Sequence, residues 1–243
     1  MILNQFPVPI IVISLKRAHE RRQNSEKELR DQHVDWEFLD AIDGLKLYNT
    51  PPEYNEKKVS RLLGFSLTLS EIGCFLSHRE AWLKCIEKNT ATLILEDDFM
   101  FHSNIRESIA FLLENQSLWD IARLQALSES EHVVLKEMNQ CKIVQNDGDP
   151  LGATAYLLKP SSAKKLLIHS REIFEPLDHY LEHCKKHGLR MVAVKPYPVK
   201  TNGTDSTIFD RPNRNPITGT KKIIRSIARS IDRVTNSQPW FPK

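Results

Sequence analysis

The stretch that most constrains the fold is a short apolar run that ends in three acids. Residues 92–95 read Thr-Leu-Ile-Leu, and Glu96, Asp97 and Asp98 follow them directly. An apolar, β-branched run of this length is typical of a strand covered on both faces. Because three adjacent carboxylates cannot enter a core unpaired, we expect them at the solvent-facing carboxyl end of that strand.

Two interpretations of these acids compete. Ligands bind at the carboxyl ends of strands in open α/β sheets, and clustered carboxylates supply the oxygen ligands that Mg²⁺ or Mn²⁺ uses beside a phosphate. Acids after a strand are also common in a solvated turn or at a helix N-terminus. Other residues in the chain must therefore distinguish a metal site from a polar turn.

The pattern of the remaining chain favours one large α/β domain for 243 residues. Predicted strands cover residues 8–15, 36–40, 92–95, 119–127, 152–158 and 190–194. Predicted helices cover residues 18–31, 68–88, 105–113, 163–169 and 175–186, the fourth with a serine hydroxyl cap. We expect an irregular, polar loop over residues 48–66, where Pro51-Pro52 interrupts any element, and find only a weak pattern over 128–149.

The turns after the first two predicted strands carry polar candidates. Ser14 and Arg17 lie at a strand-to-helix turn, where backbone N–H groups and the helix N-terminus favour an anionic ligand. Neither GxGxxG nor GxxxxGK[ST] occurs there, which excludes a dinucleotide fingerprint and a P-loop. Asp40 and Asp43 end the second strand and could bind ribose hydroxyls or a base edge, although Asp43 also suits a helix cap.

Three residues on predicted helices have both a structural and a functional interpretation. Gly73 lies inside the helix 68–88 at a cost of about 1 kcal/mol relative to alanine, so a close packing contact or an approaching ligand would explain it. His78 is either a hydrogen-bonded helix histidine or a ligand. Asp178 is either an ordinary helix-start residue or an acid that the helix macrodipole keeps ionised.

Composition limits the class of protein. From Arg211 onward eight Lys and Arg face one acid, a net charge of +7, which leaves residues 1–210 with −4. The body therefore lacks the basic surface of a nucleic-acid-binding protein. The four cysteines, Cys74, Cys85, Cys141 and Cys184, show no CxxC spacing, which indicates reduced thiols in a cytosolic protein. No stretch reaches the roughly 18 apolar residues of a membrane span, and the N-terminal apolar run lacks the basic start and small-residue cleavage site of a signal peptide.

An ordered set of motifs resembles glycosyltransferase family 25, the bacterial lipooligosaccharide glycosyltransferases that are related to collagen galactosyltransferases. The resemblance covers roughly residues 8–210, and its most specific parts are Glu71-Ile72-Gly73-Cys74 to Ser77-His78 and Glu96-Asp97-Asp98. The other parts are Val12-Ile13-Ser14-Leu15 with Arg21-Arg22, Asp40-Ala41-Ile42-Asp43-Gly44, Ala155-Tyr156-Leu157-Leu158 and Pro176-Leu177-Asp178.

The resemblance implies a GT-A fold, a Rossmann-like mixed sheet flanked by helices, with a nucleotide-sugar bound by its first half. It also implies that the acids after the central strand hold Mn²⁺ or Mg²⁺ against the donor diphosphate. Asp98 is expected to contact the cation directly. Glu96 stands where the family signature usually has Asp, so it is expected either to bind the cation or to touch the ribose or an outer-shell water.

The remaining roles follow from the chemistry that the resemblance implies. The family is inverting, and a single displacement needs a carboxylate base on the face of the sugar opposite the leaving group. Asp178 is the candidate for that base. The donor is expected to contact the following residues: Ser14, Leu15, Arg17, Asp40, Asp43, Ser77, His78, Glu96, Asp97 and Ser206. Ser206 lies in a polar segment, 200–208, that is either a flap over the diphosphate or an ordinary surface loop.

The predicted reaction is transfer of a hexose from a UDP-sugar, galactose before glucose, to a lipooligosaccharide or LPS glycan. One rival is a nucleotidyltransferase, but the glycine-rich, basic phosphate loop expected near its N-terminus is missing from the sequence. Another is a non-catalytic GT-A scaffold or partner subunit, against which the acids at 96–98 and 178 argue.

Residues 1–210 are expected to form the glycosyltransferase domain and residues 211–243 a basic amphipathic tail. Five apolar residues, Ile223, Ile224, Ile227, Ile231 and Val234, share one side of a helical projection, with Lys and Arg on the remainder. This pattern predicts a helix that docks a cytoplasmic enzyme on the anionic inner face of the bacterial inner membrane, near a lipid-linked acceptor. The alternative is that the stripe packs on the protein's own core or on a second subunit in a homodimer.

Overall fold

The central strand of the first half of the sheet is β1, Ile10–Ser14, all five residues of which are buried. Ile11 and Ile13 pack into the core on one face of the sheet, and Ile10 and Val12 into the core on the other face. The computed structural model describes residues 6–30 and 32–203. The strand predicted over residues 8–15 is therefore confirmed, and it is buried on both faces.

Ten strands and seven α-helices make up the described part of the chain. The strands are β1, β2 (Trp36–Asp40), β3 (Thr92–Glu96), β4 (Phe99–Phe101), β5 (Ile121–Arg123), β6 (Glu131–Met138), β7 (Cys141–Asp147), β8 (Ala155–Leu158), β9 (Met191–Lys195) and β10 (Val199–Thr201). The helices are α1 (His19–Arg30), α2 (Glu56–Leu63), α3 (Leu69–Lys88), α4 (Ile105–Glu114), α5 (Pro160–His169), α6 (Leu177–Glu182) and α7 (Cys184–His187).

Eight strands form one mixed sheet in the order β2-β1-β3-β8-β5-β9-β7-β6. β1 pairs in parallel with β2 and β3, so the carboxyl ends of these three strands share one edge. β8 runs antiparallel to both β3 and β5. The mixed α/β sheet flanked by helices that the sequence predicted is confirmed. The predicted C-terminal amphipathic helix lies outside the described residues.

The sheet separates two apolar cores. One includes Trp82 of α3 and Leu166 of α5, and the other includes Leu29 of α1 and Ile109 of α4. α3 begins with a capping box in which the Thr68 side chain accepts from the Glu71 N–H and the Glu71 carboxylate accepts from the Thr68 N–H. Among the described residues, no helix has both the length and the apolar character needed to cross a bilayer.

Several predicted boundaries were wrong. The predicted loop 48–66 contains α2, which Asn55 caps through a hydrogen bond from the Lys58 N–H and which ends at Gly64 in the left-handed region. These are ordinary helix start and stop signals, which lay beyond the Pro51-Pro52 break. The strand predicted over 119–127 is only Ile121–Arg123, and the helix predicted over 175–186 is two short helices, α6 and α7.

Three further differences lie in the second half of the chain. Residues 128–149, with their weak pattern, form the antiparallel hairpin β6–β7, and β6 is an edge strand with mostly exposed side chains, so no apolar alternation marks it. α5 begins at Pro160 with Lys159 at its N-cap and no side-chain cap, so the predicted serine cap was wrong. The first residues of the predicted flap 200–208 belong to β10, which pairs with β4.

Candidate functional site

A pocket opens at the shared carboxyl edge of β1, β2 and β3. The carboxyl ends of β1 and β3 lie side by side at this pocket, with Ile13 opposite Glu96 in the parallel register. Its lining comes from these strand ends, from the loops that follow β1 and β2, from α1 and from α3: Ile13, Ser14, Leu15, Arg17, Arg21, Ala41, Ile42, Asp43, Gly44, Ser70, Cys74, Ser77, His78, Glu96, Asp97 and Asp98. Sequence reasoning had named nine of these as site residues.

Asp97 is buried at the back of the pocket, 6% exposed. The Ser14 hydroxyl donates to its Oδ2 at 2.5 Å, and Arg21 Nε lies 3.1 Å from its Oδ1. Burial raises the pKa of Asp97, and the charge of Arg21 opposes that rise. The expectation that the three acids face solvent was therefore wrong for this residue, because Arg21 and Ser14 supply the partners that permit burial.

Asp98 pairs with the same arginine, but only one of its two carboxylate oxygens has a partner. Arg21 Nη2 lies 3.2 Å from Asp98 Oδ2, whereas Oδ1 is buried without a hydrogen-bond partner. Burial, followed by the negative charge of Glu96, raises the pKa of Asp98 to about 7. The carboxylate thus retains an unused oxygen and would gain free energy from a cation.

Glu96 has partners on both carboxylate oxygens. Its Oε1 lies 3.4 Å from His78 Nε2 and 3.8 Å from Cys74 Sγ, and its Oε2 accepts from the Thr154 hydroxyl at 3.3 Å. Burial opposes ionisation, but the hydrogen bond with His78 and the other favourable contacts outweigh it, so the pKa of Glu96 is lowered. Among the three neighbouring acids, the pKa is thus lowered for Glu96 and raised for Asp97 and Asp98.

His78 is fully buried and is anchored from behind. Its Nδ1 lies 2.8 Å from the Tyr156 hydroxyl, which also accepts from Trp82 Nε1 at 2.9 Å. The imidazole and phenol rings are stacked. The hydrogen-bonded helix histidine expected from the sequence is confirmed. The ring also lines the pocket, and its role as a ligand stays a prediction.

Gly73 and Ser77 hold α3 against the loop that follows β2. A Cβ on Gly73 would lie 2.6 Å from Ile42 O, so only glycine permits this approach. The Ser77 hydroxyl donates to Gly73 O at 2.6 Å and accepts from Ile42 N–H at 2.8 Å. The close packing contact expected at Gly73 is confirmed, and the hydroxyl of Ser77 is engaged in shaping the pocket wall.

Arg17 and Asp43 form the mouth of the pocket. Arg17 donates to both Asp43 oxygens, at 2.8 and 3.2 Å, and this pairing lowers the pKa of Asp43. Asp43 also caps the short 3₁₀ turn Gly44–Lys46 by accepting from Leu45 N–H. The Arg17 side chain is 41% exposed, so its guanidinium is accessible to an anion.

Three predicted site residues lie outside this lining. Asp40 is half exposed and pairs with Lys16 and Arg22. Asp178 lies in the first turn of α6, where its Oδ1 accepts from the His179 N–H. Ser206 is outside the described residues, although the chain leading to it leaves β10 beside the acids, with Asn202 N–H donating to Asp98 O at 2.7 Å.

Sequence reasoning gave no role to four residues that shape the site: Arg21, Cys74, Thr154 and Tyr156. Arg21 lies seven residues after Ser14 and contacts two of the acids, and a basic residue in the first turn of the first helix is the available signal. Tyr156 is a polar side chain within a strand of small and apolar residues, which predicts a buried hydrogen-bonding role. Cys74 and Thr154 carry no such signal.

The carboxylate oxygens of Glu96 and Asp98 fit a divalent cation. The unpartnered Asp98 Oδ1 and the lowered pKa of Glu96 provide anionic oxygen in a pocket where four carboxylates face two guanidinium groups. Hard cations such as Mn²⁺ and Mg²⁺ select this kind of donor. The residues present therefore fit the cation that the resemblance implied.

Comparison with known proteins gives a family match and several relatives. Residues 8–181 match the family model Glycosyltransferase family 25 (LPS biosynthesis protein). Procollagen galactosyltransferase 2 of Homo sapiens is 34% identical over 237 residues, covering 83% of this chain and 36% of that protein. Lipooligosaccharide biosynthesis protein lic2B of Haemophilus influenzae is 29% identical over 170 residues, covering 65% of this chain and 62% of that protein.

The family also includes relatives described as lacking activity. Inactive glycosyltransferase 25 family member 3 of Homo sapiens is 29% identical over 196 residues, covering 71% of this chain and 31% of that protein. The chain spans between about a third and three fifths of the length of these relatives. Since the family model matches well over half of the chain, this protein belongs to glycosyltransferase family 25.

Proposed function

We propose that this protein is an inverting glycosyltransferase that transfers a hexose, galactose in the first place, from a UDP-sugar to a lipooligosaccharide or LPS glycan. The observation that carries the proposal is the anionic pocket at the carboxyl ends of β1, β2 and β3, with an unpartnered buried oxygen on Asp98. The names of the procollagen galactosyltransferase and lic2B relatives support the choice of sugar and acceptor.

Asp98 and Glu96 are proposed to hold Mn²⁺ or Mg²⁺. When bound, the cation neutralises the donor diphosphate and the charge that develops on the leaving UDP. Arg21 keeps Asp97 and Asp98 in place through its two ion pairs. In this proposal Arg21 positions the acids, and Asp98 Oδ1 binds the cation.

Arg17 and the start of α1 are proposed to bind the phosphates. The exposed guanidinium of Arg17 stands at the mouth of the pocket, and the loop Ser14–Leu15 leads into a 12-residue helix whose N-terminal N–H groups favour an anion. Asp43 orients Arg17 through the two-oxygen contact. The ribose and base then extend toward the loop after β2, which includes Asp43.

Asp178 is proposed as the general base. It would remove the proton from the acceptor hydroxyl as that oxygen attacks the anomeric carbon, while UDP leaves from the opposite face. Asp178 lies on α6, outside the pocket lining, and is not among the proposed ligands of the cation. An Asp178→Asn variant should bind donor normally and lose about 10²- to 10⁴-fold in transfer rate.

A matched control for Asp178 is Glu172→Gln, which changes an exposed acid paired with Lys58. It should leave transfer unchanged. Transfer near wild type by Asp178→Asn, with donor binding intact, would remove Asp178 from the mechanism.

Thermal unfolding with UDP and Mn²⁺ tests the donor assignment. UDP with Mn²⁺ together should raise the midpoint more than either alone, because a ligand that binds the native state stabilises it by mass action. Hydrolysis of several nucleotide-sugars should then favour UDP-galactose over UDP-glucose. No response to UDP would favour a non-catalytic scaffold, and preference for a GDP- or CMP-sugar would overturn the donor.

The basic tail, 211–243, is proposed to hold the enzyme reversibly on an anionic membrane surface. Support comes from the sequence pattern alone, since these residues lie outside the described part of the chain. A variant ending at Thr220 should lose salt-sensitive sedimentation with anionic vesicles and still hydrolyse donor. Unfolding of that variant would instead place the isoleucine stripe in the core.

A further inference from the structure

One wall of the pocket brings together a thiol, an imidazole and a carboxylate. The Cys74 Sγ, a His78 ring nitrogen and a Glu96 carboxylate oxygen all lie within 4.8 Å of one another. Cys74 and His78 are four residues apart on α3 and therefore project from the same face of the helix. Glu96 reaches them from the end of β3.

The spacing of these atoms agrees with a common centre. A tetrahedral zinc ion with bonds of about 2.3 Å to sulfur and about 2.0–2.1 Å to nitrogen and oxygen separates nitrogen from oxygen by about 3.3 Å and sulfur from oxygen by about 3.5 Å. The observed separations are 3.4 Å for His78 Nε2 to Glu96 Oε1 and 3.8 Å for Cys74 Sγ to the same oxygen. The third separation, from Cys74 Sγ to the His78 ring nitrogen, is within 4.8 Å, whereas the same zinc ion needs about 3.6 Å, so a shift of up to about 1 Å would complete the geometry.

The residues behind the three atoms hold them in place. The Tyr156 hydroxyl lies 2.8 Å from His78 Nδ1 and is itself anchored by Trp82, while Thr154 donates to Glu96 Oε2. A hydrogen bond at the second ring nitrogen is the usual support of a metal-binding histidine, because it leaves the first nitrogen's lone pair free. The two supporting contacts are made at His78 Nδ1 and Glu96 Oε2, which leaves His78 Nε2 and Glu96 Oε1 to bind a cation.

We propose that Cys74, His78 and Glu96 bind a soft divalent cation, Zn²⁺ in the first place, with a fourth position open to the pocket. Thiolate and imidazole favour Zn²⁺ over the harder Mn²⁺ and Mg²⁺, so the centre is distinct from the all-oxygen site proposed at Asp98. Three protein ligands with one open position are typical of zinc centres that take up water or a small ligand. Only Glu96 is common to the two sites.

The proposal predicts antagonism between the two cations. A zinc ion on Glu96 Oε1 would draw that carboxylate into the centre and place positive charge beside Asp98, which repels a second cation. Micromolar Zn²⁺ should therefore oppose the binding of Mn²⁺. The zinc centre itself does not depend on glycosyl transfer, and its direct tests use the protein without donor.

Cobalt absorption spectroscopy tests the centre. Titration of the full-length, metal-free protein with Co²⁺ should produce an intense sulfur-to-cobalt charge-transfer band and visible bands of a tetrahedral ion, at one equivalent, and Zn²⁺ should displace them. Cys74→Ser should abolish the charge-transfer band. Cys184→Ser, which alters another half-buried thiol on α7, should retain it. Weak octahedral bands alone, or a charge-transfer band that survives Cys74→Ser, would overturn the proposal.

Alkylation of the wild-type protein gives a second test that needs no variant. Zn²⁺ should slow the reaction of iodoacetamide with Cys74 at least about tenfold, as read by peptide mass spectrometry, and leave the rate at Cys184 unchanged. Mg²⁺ at the same concentration should protect neither thiol. Equal rates at Cys74 with and without Zn²⁺ would refute the site whether or not the protein transfers a sugar.

Discussion

Two buried clusters of arginine and carboxylate lie on different parts of the sheet, one in the pocket and one beneath α6. In the pocket, Arg21 faces both Asp97 and Asp98, with Glu96 adjacent. Beneath α6, Arg123 faces Glu182 and also donates to the carbonyls of Leu151 and Gly152. Both arginines are largely buried.

The clusters differ in how completely their charges are matched. Arg123 and Glu182 pair one to one, and the neighbouring Glu175 pairs with His183 and Lys186. The pocket instead sets the single guanidinium of Arg21 against two carboxylates, Asp97 and Asp98. Both clusters contain a buried atom without a hydrogen-bond partner, Asp98 Oδ1 or Arg123 Nε, and burial raises the pKa of both Asp98 and Glu182. We infer that the matched cluster maintains the fold, whereas the unmatched cluster retains charge for a ligand to neutralise.

Removing Arg123 should have the largest effect on stability. Arg123→Met leaves the Glu182 carboxylate buried without its opposite charge and removes one hydrogen bond from each of two carbonyl oxygens. Breaking such a buried pair costs about 3–5 kcal/mol. Urea unfolding followed by far-ultraviolet circular dichroism measures the loss. The double variant Arg123→Met/Glu182→Leu should recover part of it, because no charge is then left buried. A loss below about 1 kcal/mol would contradict the structural role of this cluster.

Neutralising Asp98 should stabilise the fold and strongly lower the rate of transfer. Asp98→Asn should lower transfer at least about 10²-fold, because the proposed cation loses an anionic ligand. In metal-free buffer at pH 8 it should also raise the free energy of unfolding by about 1–2 kcal/mol. Unchanged activity with full dependence on Mn²⁺ would remove Asp98 from the cation site.

The pH dependence of stability follows from the raised pKa of Asp98, about 7. Between about pH 4 and 7 the unfolded chain has released this proton and the native state retains it, so the group's contribution to stability falls as pH rises. The stability gained in Asp98→Asn should therefore grow from pH 4 to 7 and stay constant above. Urea unfolding of both proteins at pH 5 and pH 8, with chelator present, checks the sign, and an equal difference at both pH values would contradict it.

Arg17→Gln should affect donor binding far more than stability. The Arg17–Asp43 pair is partly exposed and is worth about 0–1 kcal/mol to the fold. A lost charge-assisted contact to a diphosphate should raise the KM for the UDP-sugar about tenfold, with kcat less affected. Steady-state kinetics and urea unfolding separate the two. Unchanged KM would place the diphosphate elsewhere in the pocket.

Asp40→Asn should have the smallest effect. Asp40 is half exposed, pairs with Lys16 and Arg22, and lies outside the pocket lining. Stability should change by less than about 0.5 kcal/mol and the donor KM by less than twofold. A tenfold rise in KM would instead support the sequence-based assignment of Asp40 to the nucleotide.

The sequence by itself determined the elements whose patterns are local. The apolar run before Glu96 predicted β3, and the start of α3 follows from the capping box of Thr68 and Glu71. Nine of the pocket residues were also predicted. Seven end or follow β1, β2 or β3, and parallel strands carry such residues to one edge, whereas Ser77 and His78 lie on α3 and were predicted from the family resemblance. Edge strand β6 escaped prediction because its side chains are mostly exposed and their polarity carries no period.

Only the tertiary structure decided which charges are matched. That Arg21 lies between Asp97 and Asp98, and that Tyr156 supports His78, depends on contacts between residues about 76 to 78 positions apart in the chain. No local pattern encodes such distances. Burial in the folded pocket raises the pKa of Asp98. Two positions away, the hydrogen bond with His78 and the other contacts lower the pKa of Glu96. Adjacent acids of similar intrinsic acidity differ here because desolvation and hydrogen bonding are properties of the folded site.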